Sequence, residues 1–403
     1  MFWWAMGWKM KQKIKKVVYY STWLIRFSFL MTFYLIVSSP LRFSKKYKNL
    51  WIIGERPDEA RDNGYWLYKW ILENKPDTNV RFVLSKNSVD YEKMPRKDLI
   101  IEPGSAKHYI YYILSSVSAS THMHGACPGK SFCIPFLPFV RHKKTVFLQH
   151  GIIKDKIKLR GKLNAIIASS DEETKLILQA NPKYKDLVYV TGLCRYDVLE
   201  DTSKQQKTKY VLIMPTFRKY LRDVGRLKNA DKVFKKTDYY KEWQAVLNDK
   251  ELLRILHKNS MELIFFPHKD MQELARNFVS RDKKIKIGKP GEYDVQTLLR
   301  GASILVTDYS SVFFDFVYMN KPVVFYQFDQ KDFFTKHYGS SGKPYPFGNI
   351  FANREDVVDE IEEIVKRNYC IEEKYKKDAE NFYKYRDKRN CERNFNLIEE
   401  LNK

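Results

Sequence analysis

Leu305-Val306-Thr307-Asp308-Tyr309-Ser310-Ser311-Val312-Phe313-Phe314-Asp315-Phe316, followed by Val323-Val324-Phe325-Tyr326, decides the architecture. A short apolar run ending in Thr-Asp, then two hydroxyl residues, then an apolar periodic segment predicts a strand, a tight turn and a helix start. The first amides of a helix lack backbone partners and carry the positive end of its dipole, so this turn suits an anion. Ser310 and Ser311 add hydroxyl donors to those amides. Asp315 lies one turn beyond Ser311 on the same face, where a carboxylate accepts hydrogen bonds from ribose hydroxyls. Asp-x-Ser-Ser before an apolar run is equally a good helix cap, and these residues alone leave the two readings even.

Outward from this stretch the chain alternates. Leu50 to Gly54, Val80 to Leu84, Val117 to Ala119, Lys144 to Leu148, Ala165 to Ala168 and Leu187 to Val190 read as strands. Gly64 to Glu73, Lys107 to Ser116 and Asp171 to Gln179 read as helices between them. Strands alternating with helices predict a parallel sheet covered on both faces, over residues 49–201. Residues 202–209 are polar and basic and form a linker. A second alternation over 210–375 has strands at Tyr210 to Met214, Met261 to Phe266, Ile285 to Ile287 and the opening stretch. Its helices fall at Asp238 to Lys258, Met271 to Val279, Val295 to Leu299 and Glu355 to Lys366, with a basic loop up to Lys236. Glu372 to Leu401 reads as a charged helix, and residues 376–403 are expected as a C-terminal helix.

The chain has 403 residues, 44% hydrophobic and 15% aromatic, enough to fill two cores. Its 72 Lys and Arg outnumber 48 Asp and Glu, a formal charge of +24 that favours nucleic acid, anionic membrane or phosphorylated substrates. Zinc-finger spacing and RNP-type aromatic motifs are missing, so no nucleic acid is expected. Cys127, Cys133, Cys194, Cys370 and Cys391 are scattered and include no C-x-x-C pair. They fit a reduced cytoplasmic setting and indicate neither a disulfide framework nor a zinc site.

Residues 1–48 stand apart. A Trp- and Met-rich start and a basic run precede Val17 to Val37, apolar and aromatic with Arg26 as its one charge. No small-residue cleavage site follows, against a secretory signal. Arg26 near the centre of a bilayer would cost roughly 2.5–3.5 kcal/mol. Basic flanks with Trp and Tyr at the edges favour a helix lying in the interface of an anionic membrane over a transmembrane anchor or a core helix.

Ligands of open parallel sheets bind beyond the carboxyl ends of the strands. Two apolar runs end there in a histidine, Phe147-Leu148-Gln149-His150-Gly151 and Phe265-Phe266-Pro267-His268. An imidazole at such a place can take a proton from a hydroxyl near neutral pH, although a lone histidine after a strand is more often structural. Gly151 lets a substrate approach the backbone. Arg218 in Met214-Pro215-Thr216-Phe217-Arg218-Lys219 offers a planar fork to phosphate, or is part of a solvated basic loop. Asp62 and Asn63 precede a helix and serve at least as well as a turn and cap. His122 and His124 lack carboxylate or thiolate partners at metal-site spacing and are expected as solvated loop histidines.

The run from Val306 to Phe316, with Lys321-Pro322-Val323-Val324-Phe325-Tyr326 behind it, resembles the donor-site motif of the CDP-glycerol glycerophosphotransferase family of teichoic-acid synthesis. His150-Gly151 followed by Lys154 resembles its catalytic His-Gly element, with Ile152-Ile153 where the family usually has Thr-Pro. His268 resembles its second essential histidine in loosely kept surroundings, and Pro215-Thr216-Phe217-Arg218 its Pro-Thr-aromatic-Arg element. The loop with Asp62 and Asn63 resembles an N-terminal element on the acceptor side, and Gly192-Leu193-Cys194-Arg195-Tyr196-Asp197 a Gly-x-x-Arg-x-Asp stretch at the domain junction, where Arg195 and Asp197 are expected to be structural. The resemblance spans roughly Leu50 to Phe328 and is strongest in the second domain.

It implies an α/β GT-B fold, two Rossmann-like domains facing a cleft; the N-terminal membrane-associating helix, read from residues 1–48 themselves, lies outside the resemblance. It implies transfer of glycerol phosphate from CDP-glycerol to a polyprenyl-diphosphate-linked acceptor, at the cytoplasmic face of the membrane, with no cofactor and no metal. His150 would be the base and His268 the partner of the departing charge. Arg218, Thr307, Asp308, Ser310, Ser311 and Asp315 would hold the donor, and Asp62, Asn63, Gly151 and Lys154 would line the acceptor side. A CDP-ribitol transferase, a UDP-sugar GT-B enzyme and a membrane-adsorbed binding protein are the competing expectations, because fold alone does not separate them.

Overall fold

The computed structural model describes residues 2–129, 143–268, 271–289, 292–335 and 347–403; Cys133 lies outside them. Two all-parallel sheets organise the chain. The first has seven strands: β1 (Trp51–Gly54), β2 (Val80–Val83), β3 (Ile100–Ile101), β4 (Val117–Ser120), β5 (Lys144–Phe147), β6 (Ala165–Ala168) and β7 (Val188–Val190), in the order β3-β2-β1-β4-β5-β6-β7. The second has six: β8 (Tyr210–Met214), β9 (Glu262–Phe265), β10 (Ile285–Ile287), β11 (Ile304–Thr307), β12 (Val323–Tyr326) and β13 (Gly348–Phe351), in the order β10-β9-β8-β11-β12-β13. In both sheets the order reverses beside the first strand, at β1/β4 and at β8/β11, and ligand crevices form outside the carboxyl ends of the strands at such a switch point.

Most strands carry near-continuous apolar runs because helices cover both faces of the sheets. The edge strands β3 and β13 escape the sequence reading: one is two residues long, and the other, Gly-Asn-Ile-Phe, is only partly buried. Two short helices, Leu221–Val224 and Ala230–Phe234, occupy the expected basic loop, anchored by fully buried Leu221 and Phe234. The helix expected over Met271 to Val279 shrinks to Gln272–Ala275.

The N-terminal helix runs from Phe2 to Ser38. Phe27, Met31 and Ser38 are buried on one side, and Tyr34 stacks on Tyr109 of the helix Ala106–Leu114 at 5.0 Å between centroids. Phe27 lies so close to Gly129 that a Cβ there would come within 2.4 Å of the ring, so only glycine admits the helix. The opposite side is bare, with Ile25, Phe29 and Ile36 each 70% exposed. Its segment Val17–Ser38 is long and apolar enough to cross a membrane by length and composition, with mean hydropathy 1.4.

The C-terminal stretch is two helices, Glu373–Phe382 and Asn390–Asn402, with a crossing between them. On the second-domain side, Phe382 stacks on Phe314 and the Tyr383 hydroxyl donates to the Phe314 carbonyl. The chain then returns to the first domain, where Phe395 packs against Trp51 and Trp70. Asp197 accepts the amide protons of Asn390 and Cys391 at 2.8 and 2.7 Å, capping the final helix from the domain junction. Gly192 sits at φ +82° and a Cβ there would lie 2.1 Å from Asn390 Oδ1, so both backbone and space require glycine.

Candidate active site

Glu55, directly after β1, turns inward and gathers the loop behind it. Its carboxyl accepts the amide protons of Arg61 at 3.0 Å, Asp62 at 3.0 Å and Tyr65 at 2.7 Å. Burial, and then the charge of Asp62, push its pKa up to about 8. The loop so held presents Asp62 as the cap of the helix Asn63–Asn74, with Oδ1 accepting from Asn63 N at 2.8 Å. Asp62 Oδ2 meets His150 Nδ1 at 2.5 Å. Burial works to raise the Asp62 pKa, but Arg195 and the bond from His150 outweigh it and hold the carboxyl below its ordinary range. An ionised carboxylate only accepts, so Nδ1–H is the donor and Nε2 of His150 is left as an acceptor.

His150 is aimed by the residue before it. Gln149 sits at φ +61°, a left-handed conformation that costs a residue other than glycine roughly 1–2 kcal/mol. Its side chain is buried, donating to the Ile167 carbonyl and, at 3.1 Å, to Glu173, while its own carbonyl accepts from Asn63 Nδ2 at 2.7 Å. Pinned at both ends, this turn leaves the His150 side chain 59% exposed. Its ring lies 4.7 Å from that of His122. Arg56 Nε donates to His122 Nε2 at 3.1 Å, and burial, then the charges of His150 and Arg56, push His122 down to about 4. His122 is therefore a neutral wall of the site, and the expectation of solvated loop histidines is corrected: both His122 and His124 are largely covered, because the loop after β4 folds back under Glu55 and Arg56.

Arg195 joins the halves. Nη1 donates to Asp62 Oδ1 at 3.0 Å and to the His150 carbonyl at 2.8 Å. Nε and Nη2 form a two-bond fork with Asp315 at 2.9 and 2.7 Å, and the Tyr196 hydroxyl adds a bond to Asp315 at 3.1 Å. Arg195 is 6% exposed and Asp315 likewise. The carboxylate expected to meet ribose hydroxyls is thus turned into the domain junction, because a buried charge takes the nearest opposite charge.

The loop after β11 has a comparable frame. Thr307 donates to the Met214 carbonyl at 2.6 Å, and Asp308 accepts the amide protons of Thr216 at 2.8 Å and Tyr309 at 2.6 Å. Both side chains are fully buried. Arg218, 2% exposed, is held by Asp308 at 2.8 Å and by a fork to Asp329 at 2.7 and 3.0 Å, under the rings of Tyr309 and Phe333. Thr307, Asp308 and Arg218 therefore shape this loop from beneath, a different place from the direct donor contacts expected of them. Ser310 and Ser311 remain partly exposed at the start of the helix Val312–Tyr318. His268 is exposed beyond β9, its ring stacked over Phe217 at 6.1 Å.

The two loops meet at one point. A Cβ built on Gly151 would lie 3.5 Å from Ser311 Oγ and 4.0 Å from Arg195 Nη2. His150, Asp62, Gly151 and Ser311 are thereby brought together, while Asn63 holds the Gln149 carbonyl and the Arg195 amide, and Lys154 pairs with Asp155 at 3.0 Å. Asp329 carried no sequence signal, and the structural roles of Glu55 and Gln149 were not read from the stretches that contain them, since those roles arise from burial. Among the described residues no group of three or more His, Cys, Asp or Glu is arranged to hold a metal ion.

A family model described as CDP-Glycerol:Poly(glycerophosphate) glycerophosphotransferase matches residues 35–400. The chain is 31% identical over 365 residues to the minor teichoic acid biosynthesis protein GgaB of Bacillus subtilis, covering 88% of this chain and 40% of that protein. It is 28% identical over 208 residues to the teichoic acid glycerol-phosphate primase of the same organism, covering 50% of this chain and 46% of that protein. The chain thus spans less than half the length of these curated relatives. The solved structure of the wall teichoic acid polymerase TagF superposes with a TM-score of 0.64 at 14% identity, over 94% of this chain and 98% of that one, and the two parallel-sheet domains are accordingly a GT-B-like pair.

Removing the Arg195 side chain leaves Asp62 and Asp315 buried without their cation, and Arg195→Ala is expected to cost roughly 3–5 kcal/mol in urea unfolding. A pH test concerns Glu55. Its folded pKa lies above the ordinary 4.5, so the folded chain binds the proton more tightly, and the stability this contributes is lost as pH rises towards about 8. The stability of wild type relative to Glu55→Gln is expected to fall steadily between about pH 5 and about pH 8, as read from melting temperatures across that range.

Proposed function

We propose that this chain, which belongs to the CDP-glycerol:poly(glycerophosphate) glycerophosphotransferase family, transfers glycerol phosphate from CDP-glycerol to a hydroxyl of a lipid-linked acceptor and releases CMP. The observation that carries the reading is the His150–Asp62 pair standing across from Ser311, a base and a phosphate-binding turn brought to one gap by two different domains. Nε2 of His150 takes the acceptor hydroxyl proton as the oxygen attacks the β-phosphorus. The bond from that phosphorus to the bridging oxygen breaks, and CMP leaves with the electron pair. Ser310, Ser311 and the amides beside them hold the donor phosphates, and His268, as imidazolium, offsets the charge growing on CMP. Phosphoryl transfer asks chiefly for in-line positioning and charge neutralisation, and no resident metal enters the proposal.

His150→Ala is expected to lower CMP release by about 10²–10⁴ while CDP-glycerol binding stays within a few-fold, because the base acts on the acceptor. Asp62→Asn removes the carboxylate that fixes the tautomer and should lower turnover in the same direction. Near wild-type turnover in folded His150→Ala would overturn the assignment, and faster consumption of CDP-ribitol than of CDP-glycerol would change the donor.

The same proposal places the chain on the cytoplasmic face of an anionic membrane, through the bare side of the N-terminal helix. The buried side of that helix is committed to the first domain, so Ile25, Phe29 and Ile36 are the most exposed of the apolar residues left for lipid. Burial of one such side chain contributes about 1.5–3 kcal/mol, so Ile25→Glu with Phe29→Glu is expected to weaken binding to phosphatidylglycerol vesicles by ~10² or more, measured by flotation. Unchanged flotation would move the membrane contact elsewhere.

A further inference from the structure

Ser170-Asp171-Glu172-Glu173 opens the helix Asp171–Ala180 with Ser-x-x-Glu spacing. Ser170 caps that helix as such a start predicts, its Oγ accepting from Glu173 N at 3.0 Å. In an ordinary capping box the glutamate side chain reaches back to the amide of the cap residue. Glu173 does otherwise: it is 0% exposed, and its carboxylate binds outside its own helix. Oε1 accepts from Ile153 N at 2.8 Å and from Gln149 Nε2 at 3.1 Å, and Oε2 accepts from Ser169 N at 2.7 Å. One oxygen thus holds both flanks of His150-Gly151, residue 149 before them and residue 153 after them.

A fully buried carboxylate is costly unless its oxygens are bonded, and here every bonded partner is an N–H group. The ionised form suits them all, whereas a protonated carboxyl or an amide would bring a donor of its own among them. Burial pushes the Glu173 pKa up to about 7, while the bonds from Ser169, Ile153 and Gln149 and the charge of Arg195 pull it down, so the group is ionised on the alkaline side of neutrality. The two bonds to Oε1 close residues 149–153 into a clasped turn with His150 and Gly151 at its apex. Asp62 orients the imidazole, and the clasp holds the backbone that carries it. We propose that Glu173 is the positioning residue of His150, closing the turn that carries the base so that its imidazole stands at the gap shared with Ser311. The inference rests on the reading of His150 as the base and adds to it a buried group that touches no substrate.

The test uses the full chain at pH 8 and two variants. Glu173→Gln keeps the size of the side chain and sets an NH₂ group against one of the N–H donors; Gln149→Met removes one bond to Oε1 and keeps the carboxylate. Each is made alone and together with His150→Ala. Hydrogen–deuterium exchange of peptides spanning residues 149–154 is read without substrate, and CMP release is read with CDP-glycerol and acceptor. Glu173→Gln should speed exchange in those peptides and leave the second domain unchanged. It should lower kcat roughly 10- to 100-fold with KM for CDP-glycerol within about three-fold, because a small misplacement of the base acts on the chemical step. In the His150→Ala background the same change should cost less than about two-fold, since the group it acts through is gone. Gln149→Met should show the same pattern at smaller amplitude, and it carries the comparison where Glu173→Gln does not fold. An equal fractional loss with and without His150 would overturn the proposal and make the effect general damage to the fold. So would unchanged exchange over residues 149–154. If exchange behaves as expected and the wild type releases no CMP with any acceptor, the clasp stands and the transferase reading falls.

Discussion

One guanidinium lies between the two halves of the site. Arg195 spends its donors on Asp62, which orients His150, on the His150 carbonyl itself, and on Asp315, which belongs to the helix that begins at Ser311. A planar fork fixes angle as well as distance, which a lysine in this place would not do. The geometry of His150 and the geometry of the Ser310-Ser311 turn are therefore set by one group, although they belong to different domains.

The second domain repeats the device. Arg218 between Asp308 and Asp329 fixes the loop after β8 against the turn after β11, just as Arg195 fixes the junction. Buried ion pairs of this kind add little net stability over apolar packing, since desolvation offsets their attraction. Their contribution lies in holding irregular backbone in one conformation at the ends of strands, where no ladder of hydrogen bonds does so. Gln149 shows the need: a strained φ persists because Asn63, Glu173 and the Ile167 carbonyl hold it from all sides.

The fold was legible because parallel strands buried on both faces leave dense apolar runs, and β1, β6, β8, β10 and β12 lie within a residue of where those runs place them. The edge strands β3 and β13 were not, because partial cover leaves too few apolar residues to register. At the site, His150 and the Ser310-Ser311 turn were readable from what precedes them, an apolar run ending in a polar group. The roles of Asp315 and Arg218 were not: a charged residue in a motif looks the same whether it faces a ligand or another charge, and only burial separates the two. Asp62, expected on the acceptor side, is engaged as the hydrogen-bond partner of His150.

Gly151 shows what the frame leaves open. Its backbone is not among those at positive φ, so conformation does not demand glycine. A Cβ would meet Ser311 Oγ at 3.5 Å, an ordinary contact, so packing of the protein against itself does not demand it either. On the proposed reaction the remaining demand is room for a third body. A phosphorus centre between His150 on one domain and Ser311 on the other would need van der Waals space, and Gly151 leaves it. The open space at Gly151 and the exposed His150 beside it lie next to the junction that Arg195 and Asp315 close.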